Sequence, residues 1–72
     1  MTQSDWTSLS STNLDAFRYD PDTLELDVRF KSGNTYRYSG VPAYLVDQLD
    51  HADSPGKFFA AEIKGAYFAG RI

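Results

Sequence analysis

The sequence predicts an α+β domain: a three-stranded antiparallel β-meander followed by two short helices packed on one face, in the order β-β-β-α-α. Three observations point to it: strict apolar/polar alternation over residues 24–31, a shorter alternation over 35–39 after a glycine-containing turn, and a change to helical spacing at Pro42.

Residues 1–8 are polar except for Trp6 and have no period, so they read as a flexible N-terminal arm with Trp6 tucked back. Residues 9–72 form a single domain. In the first strand, Leu14, Phe17 and Tyr19 cannot share one face under strict alternation, which predicts a bulge or a lead-in loop at Ser11-Thr12-Asn13 and leaves the register open. Asp20-Pro21-Asp22-Thr23 is a turn, because Pro21 presets φ and Asp20 can accept a backbone N–H. In the second strand Leu24, Leu26, Val28 and Phe30 alternate with Glu25, Asp27, Arg29 and Lys31, giving one buried and one wet face. The third strand places Tyr36 and Tyr38 on one side and Thr35, Arg37 and Ser39 on the other.

Pro42 suits the first turn of a helix, where its missing N–H is no loss. Val41, Leu45, Leu49 and Ala52 then make an apolar stripe ending near Asp50. Ser54 and Pro55 read as N-cap and N1 of a second helix over about 56–64, with Phe59 and Ile63 inward and Gly65 as its stop. Residues 66–72 are expected to pack back as an irregular tail.

A chain of 72 residues hides only about 60% of its unfolded surface, so its core must be efficient. There is no cysteine to staple it, and the single histidine, His51, lacks thiolate partners for a structural zinc. One tryptophan, five tyrosines and five phenylalanines supply the buried area instead. No apolar run approaches a membrane span, and the first residues lack a signal peptide's basic and apolar regions, so the expected location is cytoplasmic with no membrane contact. Ten acidic and seven basic residues give a net charge of −3, which repels nucleic acid unless a basic patch is concentrated locally.

The order of Ser11 through Asn13, the Tyr19-Asp20 turn, Phe30 with Gly33, Tyr36 with Tyr38, Val41-Pro42, then Ser54, Gly56, Phe58-Phe59 and Ile63 resembles the KTSC domain family. These small domains occur at the C-terminus of some lysyl-tRNA synthetases and as stand-alone proteins. The likeness covers the chain from about Leu9 onward. It implies the fold above and points toward tRNA-related partners, with no activity assigned to the family. Where the family typically carries Asn after the aromatic pair and Arg after the Ile, this chain has Ala60 and Lys64, which weakens the case for a family-wide polar site.

Register decides the meaning of the tyrosines. A three-residue loop, Lys31-Ser32-Gly33, with Gly33 left-handed sets Val28 against Tyr36 and Leu26 against Tyr38, and both tyrosines join the core. A two-residue Gly33-Asn34 turn would instead line them up beside Lys31 and Arg29 as an exposed platform for bases and phosphates. The first is preferred, because the second wastes the best apolar strand.

In either case Arg29, Lys31 and Arg37 are the candidate nucleic-acid-binding residues, to be weighed against a solvated face balanced by Glu25 and Asp27. Ser54-Pro55-Gly56-Lys57 can be read as an anion-binding helix start, although capping explains the same residues. His51 between Asp50 and Asp53 suits a charge at a helix C-terminus better than catalysis. No nucleophile motif is present, and so small a domain has little room for a pocket of about 300 Å³.

The resulting expectation is a non-catalytic interaction module without cofactor or metal. It binds a protein partner through Asp20, Asp22, Asp47, Asp50 and Asp53, or through exposed aromatics such as Tyr44, Tyr67 and Phe68. Its specific form is a phage-encoded, anti-CRISPR-like inhibitor whose carboxylates imitate nucleic acid. The alternative is an RNA or tRNA accessory domain using the basic sheet face. A monomer is expected, with a weak dimer as the other possibility.

Overall fold

The alternating segment forms the central strand of the sheet. In the computed structural model, which describes residues 6–72, Glu25–Phe30 (β3) lies between Leu14–Asp20 (β2) and Thr35–Tyr38 (β4), antiparallel to both. Leu26 and Val28 are fully buried on one face. Leu26 faces Tyr38 and Val28 faces Tyr36, with Gly33 at φ +105° and the Gly33 N–H donated to the Phe30 carbonyl. The three-residue loop is therefore the one formed, and the tyrosines point toward the helices.

Two further strands extend the sheet to five, in the order β1-β2-β3-β4-β5. Thr7–Ser8 (β1) pairs with Phe17 and Ala16, and Ala69–Arg71 (β5) pairs with β4. Both correct the expected three-stranded meander. The arm was expected to be loose through residue 8, yet residues 7–8 form an edge strand; residues 1–5 lie outside the described residues. The tail is likewise a strand rather than irregular. Neither pairing is visible in a period, because two- and three-residue strands show none.

The bulge exists, but it falls inside β2, between Leu14 and Ala16, rather than at residues 11–13. The extra residue, Asp15, lets Leu14 and Phe17 both face the core. Leu24 is not part of the strand. It closes the turn at φ +62°, half-exposed, with its N–H donated to the Asp20 carbonyl.

The helices are Ala43–Asp50 (α1) and Pro55–Glu62 (α2). Leu45, Val46 and Leu49 of α1 and Phe59 of α2 pack on Leu14, Phe17, Leu26, Val28 and Tyr38, with Val41 and Ile63 completing the core. Phe59 is its aromatic centre, edge-on to Phe30 at 5.7 Å and to Tyr38 at 5.4 Å. Ser54 is the N-cap by position only, since its side chain makes no capping bond, and Pro55 stands at N1. The second helix stops at Glu62, with Lys64 N–H donated to the Phe59 carbonyl; Gly65 does not adopt the left-handed conformation expected of a stop. No helix among the described residues is long and apolar enough to cross a membrane.

Candidate functional site

The open face of the sheet carries the basic residues. Cross-strand pairing sets Arg18, Asp27 and Arg37 in one row and Ala16 beside Arg29 in the next. Arg18 Nε donates to Asp27 Oδ2 at 2.9 Å, while Arg37 donates to Oδ1 at 2.8 Å and to Oδ2 at 3.1 Å. Asp27 is only 3% exposed. Burial alone would push its carboxyl up, but the hydrogen bonds and charges of Arg37 and Arg18 outweigh this and hold it below the usual carboxylate range. Arg29 pairs with Asp15 at 2.8 Å, and Glu25 stands 3.9 Å from Arg37. The Trp6 ring lies over both Arg18 and Arg29, at 4.5 Å from each guanidinium carbon.

The structure therefore does not assemble Arg29, Lys31 and Arg37 into one cationic strip. Arg29 and Arg37 are held by carboxylates, and Lys31 stands exposed in the hairpin loop, its backbone N–H donated to the Asn13 carbonyl. Arg18, Asp15 and Trp6 were missed as members of this network. Arg18 follows once the bulge fixes the phase of β2; Trp6 has no signal beyond being the one large apolar residue of its segment.

The acidic candidates divide into two groups. Asp20 accepts the Asp22 N–H within the β2–β3 turn, which abuts the start of α1 through the Val41 N–H donated to the Leu24 carbonyl. The Tyr19 hydroxyl fixes the same junction by donating to the Val41 carbonyl. Asp47 and Asp50 lie exposed on α1 and Asp53 beyond its end. An eight-residue helix is about 12 Å long, so the turn pair and Asp53 mark opposite ends of this flank. His51, the C-cap of α1, is fully exposed with Nδ1 2.9 Å from the Asp47 carbonyl. That carbonyl, and then the Asp47 and Asp50 charges, raise its pKa above the ordinary 6.5.

Three of the large exposed apolar side chains belong to one rim. Leu24 and Phe68 are tied by backbone hydrogen bonds to Val41 and Ser39, and Tyr44 follows two residues after Pro42. Phe68 is 81% exposed and Tyr44 67%. Tyr67 is half-buried and packs against the core instead.

Two open hollows in the surface exceed the little room expected for a pocket. One, of about 560 Å³, runs between the loop before β2 and the start of α2, lined among others by Ser11, Asn13, Asp53, Gly56, Lys57 and Ala60. Gly56 fits closely there: a Cβ would come within 2.9 Å of Asn13 Oδ1 and 3.0 Å of Ser11 Oγ, so those side chains would have to shift. Ser11 Oγ also accepts the Leu14 N–H, so this loop and α2 are mutually fitted. Ser54 and Lys57 border the cavity as an anion site would need, but the Asp53 carboxylate shares it. The other cavity, of about 360 Å³, is lined by Phe30, Ser32, Asn34, Tyr36, Tyr38 and Lys64. Ala60 and Lys64, the two departures from the family pattern, thus fall in different cavities.

The KTSC domain family model matches residues 10–67. A lysine–tRNA ligase of Nostoc is 42% identical over 52 residues, which are 72% of this chain and 9% of that ligase. An uncharacterized protein of Stutzerimonas stutzeri is 39% identical over 61 residues, 85% of this chain and 86% of that protein. The crystal structure of a KTSC domain protein from Yersinia pestis superposes with a TM-score of 0.88 at 35% identity, covering 94% of this chain and 96% of that one. The chain thus spans a small part of the ligase and nearly all of the other two. From the family match over residues 10–67 and the likeness to a KTSC domain protein along nearly its whole length, the chain belongs to the KTSC domain family.

Proposed function

We propose that this KTSC domain is a non-catalytic cytoplasmic binding module that takes a protein partner. The observation that supports it is the flank of α1: Asp47, Asp50 and Asp53 stand in solvent on and just beyond that helix, whereas Arg18, Arg29 and Arg37 are paired with carboxylates on the sheet face and the exposed cations, Lys31, Lys57, Lys64 and Arg71, all lie outside α1. A phosphate backbone meets repulsion on such a surface, and a cationic protein face meets attraction. The exposed Leu24, Tyr44 and Phe68 supply apolar contact at the rim beside Asp20 and Asp22. In its most specific form the module is a phage-borne inhibitor whose Asp47, Asp50 and Asp53 occupy a nucleic-acid groove of its target.

The second reading, a tRNA accessory domain, is favoured by the likeness to a segment of the lysine–tRNA ligase. A salt-titrated gel shift with tRNA and duplex DNA separates the two. The protein-partner reading expects no shift even at low salt. Micromolar tRNA binding that falls steeply with salt overturns it in favour of the RNA reading.

A further inference from the structure

The smaller cavity has chemistry that neither reading uses. Its floor is apolar, with Phe30 edge-on to Tyr36 at 5.8 Å and to Phe59 beneath. Its polar groups can all donate: the Ser32 hydroxyl, the Asn34 amide, two phenols and the Lys64 ammonium. No carboxylate lines it, in a chain with ten acidic residues. Among the described residues Lys64 enters no ion pair. Arg71 lies opposite Tyr36 on β5 and therefore on the same face of the sheet.

Tyr38 gives direction to this set. It is 5% exposed, and its hydroxyl has no hydrogen-bond partner among the described residues, yet no fully buried side-chain polar atom is left unsatisfied. The hydroxyl therefore keeps contact with solvent, and Tyr38 lines this cavity. Burial, and then the neighbouring Tyr36, raise its pKa, so it remains a neutral donor at physiological pH. A nearly buried donor lining a cation-bordered hollow is suited to an oxyanion.

We propose that this groove binds a small organic phosphate monoester, with Lys64, Tyr36, Tyr38, Ser32 and Asn34 serving the phosphoryl oxygens and Phe30 the organic body. The number of donors favours phosphate over carboxylate, because a phosphoryl group offers three terminal oxygens and up to two negative charges against two oxygens and one charge. The volume suits a small molecule. The site lies at the hairpin end of the sheet and shares no lining residue with the acidic candidates, so it stands or falls separately from protein binding.

The test is a titration of the whole chain with phenyl phosphate, followed by amide NMR shifts, with phenol, benzoate, inorganic phosphate and tRNA as comparisons. Saturable shifts at Ser32, Asn34, Tyr36, Tyr38 and Lys64 are expected, with a dissociation constant below about 1 mM. Lys64→Gln should weaken binding about tenfold or more, and Lys64→Arg should retain it. Tyr36→Phe and Tyr38→Phe should each cost about fivefold while leaving the melting temperature nearly unchanged, which separates ligand loss from misfolding. Equal binding of phenol or benzoate, or Lys64→Gln binding as tightly as wild type, overturns the proposal. So does inorganic phosphate binding as tightly as the ester. Shifts at these amides with tRNA but none with phenyl phosphate overturn it in favour of a polymer.

Discussion

On the side toward the helices, Leu26, Val28 and Tyr38 are covered by α1 and α2; on the other side of the same strands, Asp27 is buried as deeply as Tyr38 with no helix above it. The first face is sealed by apolar packing, which needs only the right residues in the right phase. The second is sealed by Arg18 and Arg37 reaching in from the two neighbouring strands over one carboxylate, with Trp6 laid across Arg18 and Arg29. The first seal tolerates changes of shape, whereas the second depends on every partner being present, since a buried carboxylate stripped of its cations is an uncompensated charge. Arginines on a bare sheet face are therefore not by themselves an invitation to nucleic acid.

The contrast can be broken most sharply from the helix side. Phe59→Ala removes the ring that Phe30 and Tyr38 pack against and should cost about 3–5 kcal/mol, read from denaturant unfolding. A loss near 1 kcal/mol would mean that the apolar face is not the main seal.

Asp27→Asn tests the other face. It should cost about 1–3 kcal/mol, less than a fully buried pair because Arg18 and Arg37 are 29% and 40% exposed. Since the folded pKa of Asp27 lies below its ordinary 3.8, its contribution is fully present above that value and fades as pH falls through the folded pKa. The variant should accordingly lose less stability than wild type on acidification, and identical acid profiles would remove Asp27 from the account. Trp6→Ala sharpens the comparison with the smallest effect, about 1 kcal/mol, from its two cation–π contacts. No change in melting temperature would show that the tryptophan is an ornament on an already closed face.

The same contrast explains what could be read from the chain. The helix-facing strands, the hairpin loop at Gly33 and the start of α2 at Pro55 were legible because period and turn chemistry are local. The bulge was signalled by the conflicting phases of Leu14 and Phe17, but its position was not, since either side of the conflict relieves it. β1 and β5 were missed because their pairing is imposed by neighbours rather than by their own residues. The candidate arginines were found without their partners: Asp27 reads as a wet-face residue until Arg18 is known to lie beside it. The cavities had no sequence signal at all, because their walls come from segments far apart in the chain. His51 stands at the C-cap of α1, the helix-end position expected of it.

The brevity of the outermost strands has a consequence for strand addition. A sheet invites further strands wherever a long run of unpaired backbone N–H and C=O groups lies along its border. Among the described residues the outermost strands are two residues long at one side and three at the other, each by itself too short to fix the register of an incoming chain. Short outermost strands of this kind give an added strand little backbone to pair with, without a barrel, a disulfide or a covering helix.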